Sequence, residues 1–103
     1  MDNALFSMQA EICKAIAHPT RIHILQLLRD GERCVCEIFP AMEMEQPNVS
    51  RHLAILKKAG IISSRKEGLK VIYRVNDKRI FELLDLITAI LKEQIDSRKK
   101  ILT

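Results

Sequence analysis

Aromatic residues, glycine and proline are all scarce in this chain. Among 103 residues there is no tryptophan, one tyrosine and three phenylalanines, with three glycines and three prolines. A hydrophobic content of 48% must therefore come mainly from aliphatic side chains, which favours a helix-rich core over a β-sandwich. The chain is long enough to bury such a core, and we expect residues 1–103 to form a single domain.

Long apolar segments are also absent. No run approaches the roughly 20 apolar residues that a membrane-spanning helix needs. The chain does not begin with a basic stretch and an apolar segment of the kind that marks a secretory signal. We therefore expect a cytoplasmic protein that does not contact a membrane, with its three cysteines present as reduced thiols.

The patterns that carry most enzyme chemistry are missing. There is no glycine-rich phosphate loop, no pair of catalytic carboxylates and no arrangement of nucleophile and base. Cys34 and Cys36 form a Cys-x-Cys pair instead of the redox Cys-x-x-Cys motif. We predict that the protein is not an enzyme. A thiol metallochaperone is the alternative from another class.

Positive charge is concentrated in one part of the chain. The formal net charge is +4 and the sequence pI is about 9.2. Nine basic residues and two acidic ones lie between Arg51 and Arg79, whereas Asp30–Glu45 has five acidic residues and one basic. Such clustering is typical of a surface that binds a polyanion, and a metallochaperone would not need it.

Apolar spacing predicts four helices in addition to the helix at about 46–59 that is described below. They cover Asn3–Ala17, Pro19 to about Arg29, Val35–Met42 and a last helix of about 77–99. Pro40 argues against the third of these, which we expect to kink or to end early.

A recognition helix is predicted at about 46–59. Val49, Leu53 and Leu56 fall on one face, and Pro47 and Gly60 suit its start and its end. Polar side chains crowd the other face, as in a helix that reads the DNA major groove. They are Gln46, Asn48, Ser50, Arg51, His52 and Lys57. The alternative is an ordinary amphipathic surface helix.

A β-hairpin is predicted at about 61–75, with strands at 61–66 and 71–75 and a turn at 67–70. Val71, Tyr73 and Val75 alternate with Ile72 and Arg74. The hairpin carries four basic candidates for DNA contact. They are Arg65, Lys66, Lys70 and Arg74. A purely structural hairpin would not explain this charge.

These elements together predict a mainly α fold with a small β-hairpin, namely a winged helix-turn-helix. The first and last helices have more apolar surface than one small domain can cover, so we expect them to form a homodimer interface. Twofold symmetry would then place two recognition helices about 34–36 Å apart on double-stranded, pseudo-palindromic operator DNA.

The chain resembles the ArsR/SmtB family of metalloregulators over nearly its whole length. The resemblance lies in His18–Leu28, Gln46–Gly60, the hairpin Arg65–Arg74 and the thiolate box Cys34–Ile38. It implies a homodimeric repressor that binds its operator without a cofactor. An inducer then releases it, with As(III) or Sb(III) favoured and Cd(II), Pb(II) or Bi(III) as alternatives.

Two departures from the family narrow the metal site. Arsenic sensors of the founding type have a third cysteine where this chain has Phe39, and the last helix has no histidine. Asp85 and Asp96 alone would make a poor zinc site. The candidate ligands are therefore Cys34 and Cys36, with Cys13 from the partner protomer as a third ligand or, alternatively, as a small buried residue.

The spacing of Cys34 and Cys36 limits how they can share an ion. On a regular helix their side chains would point about 200° apart, so a shared ion would need non-helical or loosened backbone. A redox or persulfide switch on the same thiols stays open. We expect no metal-ligand role for His18 or His23, a phosphate or packing contact for His52, and a structural ion pair for Arg21.

Overall fold

The computed structural model describes residues 3–102, with side chains up to Lys100. It is mainly helical with one small antiparallel sheet, which confirms the predicted fold class. The elements are α1 (Asn3–Ile16), α2 (Pro19–Leu27), β1 (Arg33–Cys34), α3 (Val35–Ala41), α4 (Gln46–Lys58), β2 (Ile62–Glu67), β3 (Lys70–Val75) and α5 (Arg79–Leu102).

The core lies between α2, α3, α4 and the sheet. Ile24 and Leu25 from α2, Ile38 from α3 and Leu53 from α4 are all fully buried there. The predicted apolar face of α4 is the buried one, because Val49 and Leu56 join Leu53 in the same cluster. This packing fixes the orientation of α4, so its opposite face is presented to solvent.

The starts of α2 and α4 differ in how they are capped. The His18 side chain caps α2, because its Nδ1 accepts a hydrogen bond of 3.1 Å from the Thr20 N–H. The capping residue of α4 is Glu45, which makes no side-chain cap hydrogen bond. Pro47 in the first turn has no N–H to satisfy, which reduces the need for a cap.

The third helix passes through Pro40 and ends one residue later, at Ala41. The proline therefore interrupts the backbone hydrogen-bond pattern only in the last turn, where the loss costs little. The helix is one residue shorter than predicted.

The strand β1 was not predicted from the sequence. It pairs with β3 in antiparallel register, so that Arg33 lies opposite Tyr73 and Cys34 opposite Ile72. The sheet order is β1-β3-β2, which makes β3 the middle strand. A strand of two residues has no alternating pattern to detect, and its partner is distant in the sequence.

The hairpin of β2 and β3, which we call the wing, has a shorter turn than predicted. Glu67 and Lys70 are opposite each other in the ladder, so the connection is the two-residue turn Gly68–Leu69 and not 67–70. Gly68 has a φ of +64°, as such a tight hairpin turn requires.

Helices α1 and α5 leave much of their apolar surface uncovered within the chain. The last helix begins at Arg79 and not at 77, because the Asp77 carboxylate accepts a hydrogen bond from the Arg79 N–H and so precedes the helix. The exposed apolar side chains are Leu5, Phe6, Met8 and Ile12 on α1 and Leu83, Leu86, Ile87, Ile90, Leu91 and Ile95 on α5. Among the described residues, no helix is long and apolar enough to cross a membrane.

Candidate DNA interface and cysteine site

The first two turns of α4 present a cluster of hydrogen-bonding side chains to solvent. Gln46, Asn48, Ser50 and Arg51 are all exposed. The Arg51 guanidinium donates a hydrogen bond of 3.0 Å to Asn48 Oδ1, which holds it along the helix surface. Because Val49 between them is fully buried, these groups form the outward face of the helix, as predicted.

His52 differs from its neighbours on α4 because it is partly buried. Its ring packs against the ring of His18 with a centroid distance of 4.5 Å, and its Nδ1 accepts from Arg21 Nη1 at 3.2 Å. Burial is the main cause of its lowered pKa, and the nearby charges of His18, Arg21 and Arg51 lower that pKa further. Of the two predicted roles for His52, this geometry supports packing.

Arg21 connects three helices. Its guanidinium donates to the carbonyl oxygens of Ala15 at 2.6 Å and Lys14 at 3.3 Å, besides reaching His52. Its role is therefore structural, as expected. The predicted ion pair is wrong, because the partners of Arg21 among the described contacts are carbonyl groups and an imidazole and not a carboxylate. This cluster, which links α1, α2 and α4, had no signal in sequence spacing.

One face of the wing lies toward the recognition helix. Lys57 Nζ at the end of α4 donates a hydrogen bond of 2.8 Å to Ser64 Oγ on β2. Since side chains alternate along a strand, Lys66 lies on the same face as Ser64. Arg65 points to the opposite face, which it shares with Lys70 and Arg74 through the pairing of β2 with β3. The four basic residues of the wing therefore divide between its two faces.

Arg65 is already paired with two carboxylates. Its guanidinium forms a two-pronged ion pair with Glu32 and a longer one, of 3.3 Å, with Glu67. These hydrogen bonds lower the pKa of Glu32 and raise that of Arg65. Arg74 donates through Nε to Ser63 Oγ at 3.1 Å. The positive charge of Arg65 is thus partly neutralised within the chain.

Cys34 and Cys36 come together at the start of α3. Cys34 has extended backbone and immediately precedes the helix, whereas Cys36 is its second residue. Their Cα atoms are 5.1 Å apart and their sulfurs form a disulfide, so the expectation that all three cysteines are reduced thiols is wrong for this pair. Of the two expected possibilities, non-helical backbone and loosened helix, the structure shows the first, because Cys34 lies outside α3 in extended backbone.

The sulfur of Cys34 is also part of the helix cap. It accepts a hydrogen bond of 3.1 Å from the Cys36 N–H, and the Glu37 carboxylate accepts one of 3.2 Å from the Cys34 N–H. This reciprocal arrangement is a capping box, with sulfur in place of the usual hydroxyl. Cys34 is buried and Cys36 is exposed, so a reagent would approach from the Cys36 side.

Cys13 lies apart from this pair, on the exposed surface of α1. Among the described residues of one chain, no three side chains of His, Cys, Asp or Glu are grouped to hold a metal ion. A site with three thiolates would therefore need a sulfur from elsewhere, such as a partner protomer. Asp85 on α5 is bound to Arg29 at 2.8 Å and serves as an ion-pair partner.

The sequence matches that of known regulators. Residues 18–64 match the family described as bacterial regulatory protein, arsR family. The chain is 46% identical to an HTH-type transcriptional regulator of Methanocaldococcus jannaschii over 80% of its own length and 93% of that protein. It is 39% identical to the arsenic resistance transcriptional regulator of Pseudomonas putida, over 86% of this chain and 67% of that protein.

The structure resembles that of a winged helix-turn-helix DNA-binding domain from Mycobacterium bovis. That domain was solved in solution as a homodimer and is a possible ArsR-family transcriptional regulator. The TM-score is 0.82 with 31% sequence identity, and the alignment covers 94% of this chain and 93% of that one.

Proposed function

Because the chain belongs to the arsR family of bacterial regulatory proteins, and so is a DNA-binding transcriptional regulator and not an enzyme, we propose that it is a metalloid-responsive repressor. It binds pseudo-palindromic operator DNA as a homodimer in the cytoplasm. Trivalent arsenic or antimony, bound by cysteine thiolates, releases it; Cd(II), Pb(II) and Bi(III) are further candidate inducers. The observation that carries this proposal is the meeting of the Cys34 and Cys36 sulfurs at the first helix of the helix-turn-helix.

The proposed DNA surface consists of the outward face of α4 and the wing. Exposed donors and acceptors at the N-terminal end of α4 suit base edges in the major groove, and basic side chains suit phosphates. The full set is Gln46, Asn48, Ser50, Arg51, His52, Lys57, Arg65, Lys66, Lys70 and Arg74. Within it we expect Arg51 and Lys66 to contribute most, because Arg65 is shared with carboxylates and His52 is packed.

The proposed dimer interface consists of the uncovered apolar faces of α1 and α5. Ile90 is 56% exposed and Phe6 50% exposed in the single chain. Large apolar patches of this kind mark protein interfaces in soluble domains. The homodimeric M. bovis domain, to which this chain is similar over 94% of its length, supports the same assembly here.

The cysteine pair could act as the switch through the helix cap. In the reduced protein, arsenous acid would condense with two thiols to form two As–S bonds with loss of two water molecules. A third bond could come from Cys13 of the partner protomer. Because Cys34 caps α3, engaging its sulfur changes the start of that helix. Moving the protein from 1:99 to 99:1 between two states needs about 5.5 kcal/mol of differential binding.

Fluorescence anisotropy of a labelled fragment from the protein's own promoter tests this proposal. Under reducing conditions, arsenite should release the wild type, while Cys34→Ser should bind the fragment equally well and stay bound. Release of Cys34→Ser would contradict the thiolate switch. A Cys13→Ser variant that stays bound would make Cys13 a ligand, whereas its release would confine the site to Cys34 and Cys36. Absence of operator binding by clean wild-type protein would favour the metallochaperone instead.

The disulfide favours a second candidate, a thiol redox or persulfide-responsive repressor of the same fold. The backbone of the structure holds the sulfurs of Cys34 and Cys36 at bonding distance. An oxidant, or a persulfide that transfers its outer sulfur to a reduced cysteine and leaves as a thiol, should then release the operator in the absence of any metalloid, and arsenite should have no effect on binding. Release by arsenite under reducing conditions would exclude this candidate as the main mechanism.

A further inference from the structure

We propose that the Glu32–Arg65 ion pair transmits the state of the Cys34–Cys36 pair to the wing, with Glu32 as the positioning residue. The inference deepens the proposed function and rests on it for the DNA readout. Glu32 and Arg65 are distant in sequence, and neither is bonded to Cys34 or Cys36. Their side chains nevertheless connect the strand that holds Cys34 with the strand that leads to the tip of the wing.

The first observation is a row of side chains that crosses the sheet. Cys34 on β1 lies opposite Ile72 on the middle strand, and Ile72 lies opposite Arg65 on β2. Residues that face each other in an antiparallel pair have Cβ atoms about 4.5–5.5 Å apart and share one face of the sheet. The buried sulfur-bearing residue and Arg65 therefore flank the same side chain.

The second observation is that Glu32 spans this row. β1 and β2 are the two edges of the sheet, about 10 Å apart with β3 between them. The long side chains of Glu32 and Arg65 reach across β3 and meet in a two-pronged ion pair. Glu67, the other partner of Arg65, belongs to β2 itself and so adds no connection between the edges.

The third observation is that the position of Glu32 is closely coupled to that of Cys34. Only one residue separates them, and Cys34 is fixed by the sheet pairing and by the capping box with Glu37. Arg33, the intervening residue, also contacts Glu37 at 3.7 Å. A change in the bonding of the Cys34 sulfur must be absorbed at this cap. The resulting shift of the backbone at Cys34 is passed along the chain to Glu32, and from Glu32 through Arg65 to the wing.

The size of the expected effect follows from the exposure of the pair. Both side chains are roughly half exposed, so the ion pair is weak and contributes only part of the coupling. We expect its removal to reduce the ratio of operator dissociation constants between the disulfide and dithiol states by about three- to fivefold. We expect operator binding by the dithiol form to change less than this in Glu32→Gln, which leaves Arg65 in place.

Backbone amide NMR of the wing tip, residues 66–70, tests the inference without DNA. A Cys13→Ser parent leaves one thiol pair, which diamide oxidises by accepting two electrons and two protons while the S–S bond forms. Oxidation should shift the wing amides in the parent, and Glu32→Gln should largely remove these shifts. The matched control is Glu67→Gln, which also removes a carboxylate from Arg65 but leaves β1 and β2 connected, so the shifts should persist.

The second measurement is the ratio of operator dissociation constants between the disulfide and dithiol states, again in the Cys13→Ser parent. Glu32→Gln and Arg65→Gln should each reduce the ratio, and the double variant should reduce it no further. Exchanging the charges, with Glu32→Arg and Arg65→Glu together, should restore it. Wing amides that do not move in the parent, or that move equally in Glu32→Gln, would overturn the inference. Loss of operator binding by the parent would instead contradict the proposed function, while the amide shifts would still decide this inference.

Discussion

The helix-turn-helix unit and the pair of outer helices bury their apolar residues very differently. Leu53 on α4 is fully buried within the chain, whereas Ile90 on α5 is 56% exposed although both belong to clear apolar stripes. Leu84 is the buried residue through which α5 joins the core. Apolar periodicity therefore identifies the face of a helix that will be covered, but it does not say whether the cover comes from the same chain.

Leu53→Ala is the strongest test of the covered region. Removing this side chain from the core should lower the free energy of unfolding by about 2–5 kcal/mol, because it loses apolar burial and leaves a cavity. Urea denaturation measures the change. Leu69→Ala at the exposed turn of the wing is the control and should change stability by about 0.5 kcal/mol or less. Equal losses in both variants would mean that Leu53 is not part of a packed core.

Ile90→Glu tests the uncovered region. If a second chain covers this stripe, the added charge should raise the dimer dissociation constant by roughly 30- to 150-fold, or about 2–3 kcal/mol. Sedimentation equilibrium measures the dissociation constant. Ala89→Glu adds the same charge to the neighbouring polar face of α5 and should leave the dimer nearly unchanged. Similar dissociation constants for the two variants would place the dimer interface elsewhere.

Local patterns predicted most of the fold, and non-local contacts supplied what they missed. The buried face of α4 followed from the spacing of Val49, Leu53 and Leu56. The strand β1 could not be predicted, because two residues show no period and their partner is near residue 72. The same limit hid the Glu32–Arg65 pair, which depends on the order of strands in the sheet.

The candidate site was predictable in its residue types but not in its geometry. The sequence singled out Cys34 and Cys36 and required non-helical backbone for their sulfurs to meet, but it did not show that Cys34 provides this backbone as the residue just before α3. The start of a helix is set by one residue, and a pair that straddles this boundary does not follow the angular rule for a helix interior. The metal-ligand role of the cysteines remains a prediction, as do the DNA contacts of α4 and the wing.

Arg51→Ala tests the polar face of α4 that the chain leaves open. Loss of a base contact should reduce discrimination at one operator position by about 1–3 kcal/mol, whereas loss of a phosphate contact should weaken all sequences alike. Competition with single-base variants of the operator separates the two. Lys66→Ala is the matched comparison, and it should lower the salt dependence of binding by about one unit without changing base preference. Unchanged affinity in Arg51→Ala would remove this residue from the interface.

The smallest expected effect is the pH dependence of stability that His52 causes. It tests the packed side of α4. Its pKa in the folded protein is lowered from 6.5 by burial and by the neighbouring charges of His18, Arg21 and Arg51. The unfolded chain therefore binds a proton at a higher pH than the folded chain does. Stability is full above about pH 6.5 and falls as the pH drops from there through the lowered pKa.

Substitution His52→Gln should make this acid-dependent loss of stability smaller, because the residue no longer takes up a proton. Urea denaturation on either side of pH 6.5 measures the difference for each protein. His23→Gln, on the exposed surface of α2 and outside the cluster, is the control and should keep the wild-type dependence. If His52→Gln also kept it, the packed arrangement of His52 with His18 and Arg21 would not persist in solution. The residue would then belong with Arg51 on the open face of the helix.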